Sequence, residues 1–315
     1  MIASLKLKTT LTIILVSILI AFLIAINYRL SNSDSLIVDI PKGSNVNTIA
    51  DELHKRQLIL NPNLFKIYTR VSFSDDILKA GEYEFTSPES IRSIVNKMAK
   101  GQFFYRKLTL LPGLTLHNIL ELGSSEGIVN DLNNRDLLFE EGSFYPDTYF
   151  YLKGESFSSI LLESQEKWKI LSQELWENRE ENLPYKTLRE AITMASIIEK
   201  EGIEKNKIAG VFVNRLRIDM KLQSDPTVIY ALGNNFDGDL KKKDLGIDSP
   251  YNTYRNKGLP PGPISIVSRD SLEAALKPLQ TDYLYFVSMG NGLHKFSKTL
   301  AEHNEAVLKY QINER

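Results

Sequence analysis

The sequence predicts an α+β protein carried on a single amino-terminal transmembrane helix, with a small α+β module followed by a larger α+β domain. Two observations point there. Residues 9–28 contain no charged side chain, and a helix of that length, rising ~1.5 Å per residue, would cross a hydrocarbon core of about 30 Å. From residue 36 onward, short β-branched stretches alternate with segments of helical periodicity, separated by Pro and Gly. A chain of 315 residues is long enough for two folded units.

Taking the elements in order, Lys6 and Lys8 precede the apolar run, while Arg29, Asp34 and Asp39 follow it. The positive-inside rule then makes residues 1–8 a cytoplasmic tail, 9–28 the span and everything after it extracytoplasmic. A cleaved signal peptide would have an apolar stretch of roughly 7–15 residues and a small-x-small site. This run is longer, and Asn27, Tyr28, Arg29 and Leu30 make a poor cleavage site, so an uncleaved anchor is expected. Residues 29–35 read as a linker.

In "LIVDIPKGSNVNTIADELHKR" (36–56) a strand at Leu36–Ile40 precedes a turn and a helix from about Val46, capped by Ser44 or Asn45. Val46, Ile49, Ala50 and Leu53 supply its apolar stripe. "GEYEFTSPESIRSIVNKMAKG" (81–101) repeats strand then helix, with Ser87 as cap and Pro88 at the first helical position. Residues 36–105 form the small module and 107–315 the larger domain. "LTLLPGLTLHNILEL" (108–122) weakly echoes the first unit, with strand, Pro, Gly, cap and helix again. Residues 156–181 suggest a long surface helix carrying Trp168 and Trp176, ended by Pro184.

Composition excludes several classes. A net charge of −1 and the lack of a basic stripe argue against nucleic acid. With no cysteine there is no disulfide, thiolate metal site or cysteine nucleophile. His54, His117, His294 and His303 lack metal-ligand spacing and read as surface or capping residues. Neither metal nor organic cofactor is expected.

One segment stands out. On a helix over 187–202, Leu188, Ala191, Ile192, Ala195 and Ile198 share a broad face, with Arg189, Thr193, Ser196 and Lys200 opposite. Glu199, i+4 from Ala195 and i+7 from Ile192, falls on the apolar face. Burial raises a carboxyl pKa, and a carboxylic acid still protonated near neutrality can donate to a glycosidic oxygen. The competing reading pairs Glu199 with Arg215, Arg217 or Lys200 as a structural ion pair. Glu201 lies at the edge of the face and is expected to meet solvent, or else to tune Glu199.

"EGSFYPDTYFY" (141–151), "LQSDPTVIYALG" (222–233) and "SPYNTYRNKGLPPGPIS" (249–265) place amide, hydroxyl and aromatic groups on rigid loops, the makeup of a saccharide cleft. Glu141, Gln223, Asp225, Tyr230, Asn252 and Tyr254 are the candidates for orienting sugars. Loop scaffolding is the alternative for each, Asp225 before Pro226 being a natural turn former.

These blocks, with "ASIIEKE" (195–201), "VFVNRLRIDMKLQSDPTVIYALG" (211–233), "YLYFVS" (283–288) and "HKFSKTLAEHN" (294–304), resemble the YceG-like endolytic murein transglycosylase family. "IPKGSNVNTIADEL" (40–53) more loosely resembles a LysM module. The resemblance implies an inner-membrane enzyme that cuts nascent peptidoglycan glycan strands internally and ends their elongation, with peptidoglycan synthases as its partners. It also implies that the first glutamate of "EKE", Glu199, is the catalytic acid. Glu199 would protonate the oxygen joining MurNAc to GlcNAc. Its carboxylate would then take the C6 hydroxyl proton as O6 closes onto C1, giving a 1,6-anhydro end. Two other readings stand beside this: a hydrolase using Glu141, Asp225 or Glu201 as a second carboxylate, and a non-catalytic glycan-binding scaffold.

Overall fold

The structure, a computed structural model, describes residues 2–30, 35–72, 78–86, 89–132, 139–290 and 292–312. It is a mixed α+β chain with two compact units, Met1–Arg106 with Phe150–Gly154, and Lys107–Tyr149 with Glu155–Arg315.

The first unit begins with α1 (Ile2–Asn27). Its stretch Leu5–Asn27 is long and apolar enough, by length and composition, to cross a membrane. The helix starts earlier than the uncharged run because lysines are good helix formers. Lys6 and Lys8 therefore lie within it, not in a separate tail. Strand β1 (Arg29–Leu30) takes up the first residues of the expected linker. Next come β2 (Leu36–Ile40), α2 (Val46–Lys55), α3 (Pro62–Ser72), β3 (Gly81–Phe85), β4 (Glu89–Ser90) and α4 (Ile91–Lys100).

Strands β2 and β3 pair antiparallel, as do β1 and β4. Asn45 caps α2 by accepting from Thr48 N, a cap foreseen from the sequence. Helix α4 is capped by Ser90, which accepts from Ser93 N; Ser87 and Pro88, expected in that role, lie outside the described residues. Val38, Ile49, Leu53, Phe65, Tyr83, Phe85, Ile94 and Met98 form the core, joined by Ile26 from the last turns of α1. Segment 150–154 returns to this unit, where Lys153 pairs with Asp39 at 2.6 Å. No sequence pattern announced that return.

The second unit takes in most of β5 (Arg106–Thr109), α5 (Leu116–Glu121) and the first half of β6 (Thr148–Tyr151); β5 and β6 pair with each other. It continues with α6 (Phe157–Glu177), α7 (Leu188–Glu201), α8 (Lys205–Arg217), α9 (Asp225–Leu232), α10 (Arg269–Leu276), β7 (Tyr285–Ser288), β8 (His294–Ser297) and α11 (Leu300–Val307). Strand–turn–helix recurs at 106–121, with Thr115 in a capping box.

Helix α7 is the centre of this unit. Thr187 and Glu190 form its capping box, and α6, α8 and α10 pack around it. Met194, Ala195, Ile197 and Ile198 are fully buried, against Ile208, Phe212, Leu272 and Leu276 among others. Full burial of each large apolar side chain contributes about 1.5–3 kcal/mol. Two expectations fail here. Thr193 and Ser196, assigned to a polar face, are buried. Their hydroxyls are satisfied by Arg189 O and Thr193 O, so small polar residues can line a helix enclosed on nearly all sides. Trp168 is likewise buried at 3% exposure, because α6 lays a face of Phe157, Ile160, Leu161 and Trp168 into the interior.

Candidate active site

At ~100° per residue, Glu199 and Glu201 point about 200° apart from the last turn of α7. Neighbouring chain segments then give the two carboxyls opposite environments.

Glu199 meets the start of α10. Its Oε2 accepts from Ser268 N at 2.8 Å, Ser268 Oγ at 2.6 Å and Ser271 Oγ at 2.6 Å, while Lys205 Nζ donates to Oε1 at 3.0 Å. Ser268 is the N-cap of α10, so the carboxylate also sits at the positive end of a helix dipole. Burial by itself raises the Glu199 pKa, but these donors outweigh it and hold the carboxyl below its ordinary range. The expectation of a raised Glu199 pKa is therefore reversed. Apolar periodicity placed the residue inside correctly, but the donors come from 69 and 72 residues further along the chain.

Glu201 corrects the second expectation, that its side chain meets solvent. Its Oε1 accepts a hydrogen bond from Ser224 Oγ. Burial pushes its pKa up to about 7; Ser224 opposes the rise, Asp225 adds to it and the Arg215 guanidinium opposes it. The residue lines a cavity of about 710 Å³. Arg215, Gln223, Asp225 and Tyr254 form part of the wall, and Ser288, His294, His303 and Asn304 another part.

Each wall residue is held by its own element. Arg215, near the end of α8, donates from Nε to Leu284 O at 2.7 Å and from Nη1 to Leu222 O at 2.6 Å. Gln223 is exposed with φ at +51°, a left-handed conformation that costs a non-glycine residue about 1 kcal/mol or more. Asp225 opens α9 and accepts from Tyr254 OH at 2.5 Å. In the β7–β8 hairpin Ser288 pairs with His294, bringing both to the cavity. A Cβ at position 202 would lie 2.7 Å from His294 Cε1, so any other residue after Glu201 would have to displace the His294 ring. His294 and His303 thus line the cavity instead of capping or decorating the surface. The His303 pKa is lowered by burial and by Arg215, which favours the neutral ring.

Of the residues expected to orient sugars, Gln223, Asp225 and Tyr254 share this cavity with Glu201. Glu141 and Tyr230 are brought together elsewhere: Tyr230 OH donates to Glu141 Oε2 at 3.2 Å, and Leu116 N to Oε1 at 2.9 Å. Burial raises the Glu141 pKa against those bonds. Asn252 is a correction. It is fully buried, and its Nδ2 donates to Leu245 O and Ile247 O while Oδ1 accepts from Tyr254 N. Its carboxamide is committed to shaping the loop, and full burial keeps it away from a sugar. Sequence reasoning overlooked Ser224, whose position before Asp-Pro suggested only a turn. Among the described residues no group of three or more His, Asp and Glu is placed to hold a metal ion.

A family model described as the YceG-like family matches residues 38–309. The endolytic murein transglycosylase of Bacillus subtilis (strain 168) is 34% identical over 305 residues, covering 87% of this chain and 84% of that protein. The endolytic murein transglycosylase of Streptococcus pneumoniae serotype 2 is 30% identical over 322 residues, covering 87% of this chain but only 58% of its longer relative. The crystal structure of a yceG-like protein from Listeria monocytogenes, 35% identical, superposes with a TM-score of 0.52 over 87% of this chain and all of that one.

Proposed function

Because the chain belongs to the YceG-like family, we propose that it is an endolytic murein transglycosylase and that Glu201, not Glu199, is its acid and base. The observation that carries this assignment is the Glu201 carboxyl, with a pKa pushed up to about 7, in a cavity with Gln223, Asp225 and Tyr254. A group poised near the working pH is suited to giving and then retrieving a proton. Glu199 would have to hold a proton against Ser268, Ser271 and Lys205, all of which favour the carboxylate.

In this reading Glu201 protonates the glycosidic oxygen as the bond to MurNAc C1 breaks, releasing the GlcNAc hydroxyl. The Glu201 carboxylate then accepts the C6 hydroxyl proton while O6 bonds to C1. The products are a 1,6-anhydro-MurNAc end and the departing strand. Water is not consumed, so one carboxyl group performs both steps. Arg215 steadies the transient Glu201 anion, and Asp225 opposes its premature ionisation.

Helix α1 supports a single-pass anchor in the inner (plasma) membrane. Lys6 and Lys8 favour a cytoplasmic amino terminus with the catalytic unit outside, where peptidoglycan strands and their synthases would be met. "IPKGSNVNTIADEL", which forms the end of β2, the turn and most of α2, is the basis for reading the first unit as LysM-like. Asp225, in the same cavity as Glu201, makes a hydrolase the rival reading.

Mass spectrometry of peptidoglycan treated with the wild type, Glu201→Gln and Glu199→Gln decides. Anhydro ends made by the wild type and by folded Glu199→Gln, but not by Glu201→Gln, are expected. Reducing ends would instead establish the hydrolase, and cleavage surviving in Glu201→Gln would remove Glu201 from the chemistry.

A further inference from the structure

A second cavity, of about 430 Å³, lies beside the amino-terminal half of α7. Leu188 and Ile192 of α7 and Pro263 give it an apolar floor, and Glu141, Gln165 and Arg189 stand at its edge. The Glu201 mechanism uses none of these residues.

The cavity's chemistry suits a neutral group with one apolar end. Arg189 is already paired with Glu140, and Lys169, also on the wall, lies 3.9 Å from Glu166. Both cations therefore carry a carboxylate partner, which disfavours an acidic ligand. Glu141 is different: its carboxylate takes bonds from Leu116 N, Tyr230 OH and Gly142 N, and with about four lone-pair sites it can accept one more. An acetamide group matches this set, with its methyl on the apolar floor and its N–H donated to Glu141.

Position connects this cavity to the first. Ile192 and Glu201 are nine residues apart on α7, ~14 Å at 1.5 Å per residue, a reach of a few sugar rings. Helix α9 bridges the same interval, with Asp225 at the Glu201 cavity and Tyr230 touching Glu141. Tyr230 and Tyr251, both part-buried, lie with ring centroids 4.8 Å apart and planes tilted by 50°, and Tyr230 reaches the cavity through its bond to Glu141.

We propose that the Glu141 cavity is a remote subsite that binds the N-acetyl group of an amino sugar a few residues along the same glycan strand from the bond being cut. This rests on the reading of the chain as a glycan-cutting enzyme. Strands long enough to fill both sites would be preferred, which is how an enzyme selects internal bonds over ends.

The test uses the full chain carrying Glu201→Gln, titrated calorimetrically with peptide-free glycan strands of graded length. Affinity should step up by about tenfold once a strand spans both cavities. Gln165→Trp, which fills the second cavity from its rim, and N-deacetylation of the strand should each abolish the step. A step that survives Gln165→Trp, a step that appears only when stem peptides are attached, or binding without any step would overturn the subsite while leaving the catalytic reading intact. Absence of binding at every length, together with no cleavage by the wild type, would overturn both.

Discussion

Glu199 and Glu201 share one turn of α7, yet the first carboxyl is gripped by two serines and a lysine while the second has one serine hydroxyl and a cavity before it. Both are sheltered from water, and burial pushes both pKa values up. What differs is the number and charge of the donors. Burial alone therefore does not make an acid; burial with few partners does.

The contrast can be broken most sharply through activity. Glu201→Gln should lower kcat by about 10²–10⁴-fold, read as anhydro product per folded molecule. A loss of similar size from Glu199→Gln, at equal folded fraction, would erase the distinction between the two sites.

Stability should show the reverse ranking at neutral pH. Glu199→Gln removes the charge opposite Lys205 and weakens the bonds to Ser268 and Ser271, at a cost on the order of 3 kcal/mol. The Glu199 pKa is lowered on folding, so its contribution is present at neutral pH and lost as the pH falls through the folded value. Thermal unfolding of this variant and wild type should therefore converge in acid. Parallel curves down to low pH would deny Glu199 its role at the α10 cap.

Glu201 has the opposite sign. Its pKa rises from 4.5 to about 7 on folding, so the folded state is favoured below 4.5 and loses that advantage as the pH climbs through 7. Glu201→Gln, which cannot ionise, should be more stable than wild type above pH 7 by about 3 kcal/mol. An inactive variant no more stable than its parent at pH 8 would mean that the Glu201 carboxyl carries no strain of ionisation.

The smallest effect concerns Asp225, whose charge helps to keep Glu201 protonated. With an essential acid near pH 7, kcat/KM falls as the pH rises through that value. Asp225→Asn should move this fall to lower pH. A shift in the other direction would make Asp225 a stabiliser of the Glu201 anion.

Local order was largely legible in the sequence. Asn45 and Thr115 act as caps where a polar cap is expected, Thr187 caps α7 instead of lying within it, and helical periodicity correctly placed Glu199 on a buried face. The assignment of roles within "EKE" was not legible. It depends on Ser268 and Ser271 reaching one carboxyl and on Ser224 and Arg215 lying beside the other, and none of these is a neighbour in the chain. Asn252 misled for a related reason. A polar residue in a Tyr-rich loop looks the same whether its amide faces a ligand or, as here, its own backbone.

The left-handed backbone of Gln223 bears on how this protein would respond to selection. Gly at that position would relieve the conformation, with some of the gain returned as greater freedom of the unfolded chain. It would also strip the cavity of the Gln223 side chain. A screen that rewards only heat resistance would accept that exchange and drift toward a sturdier protein without the side chain proposed to orient a sugar. Under the proposed function, the strained glutamine at 223 is a stability cost tied to what the cavity does.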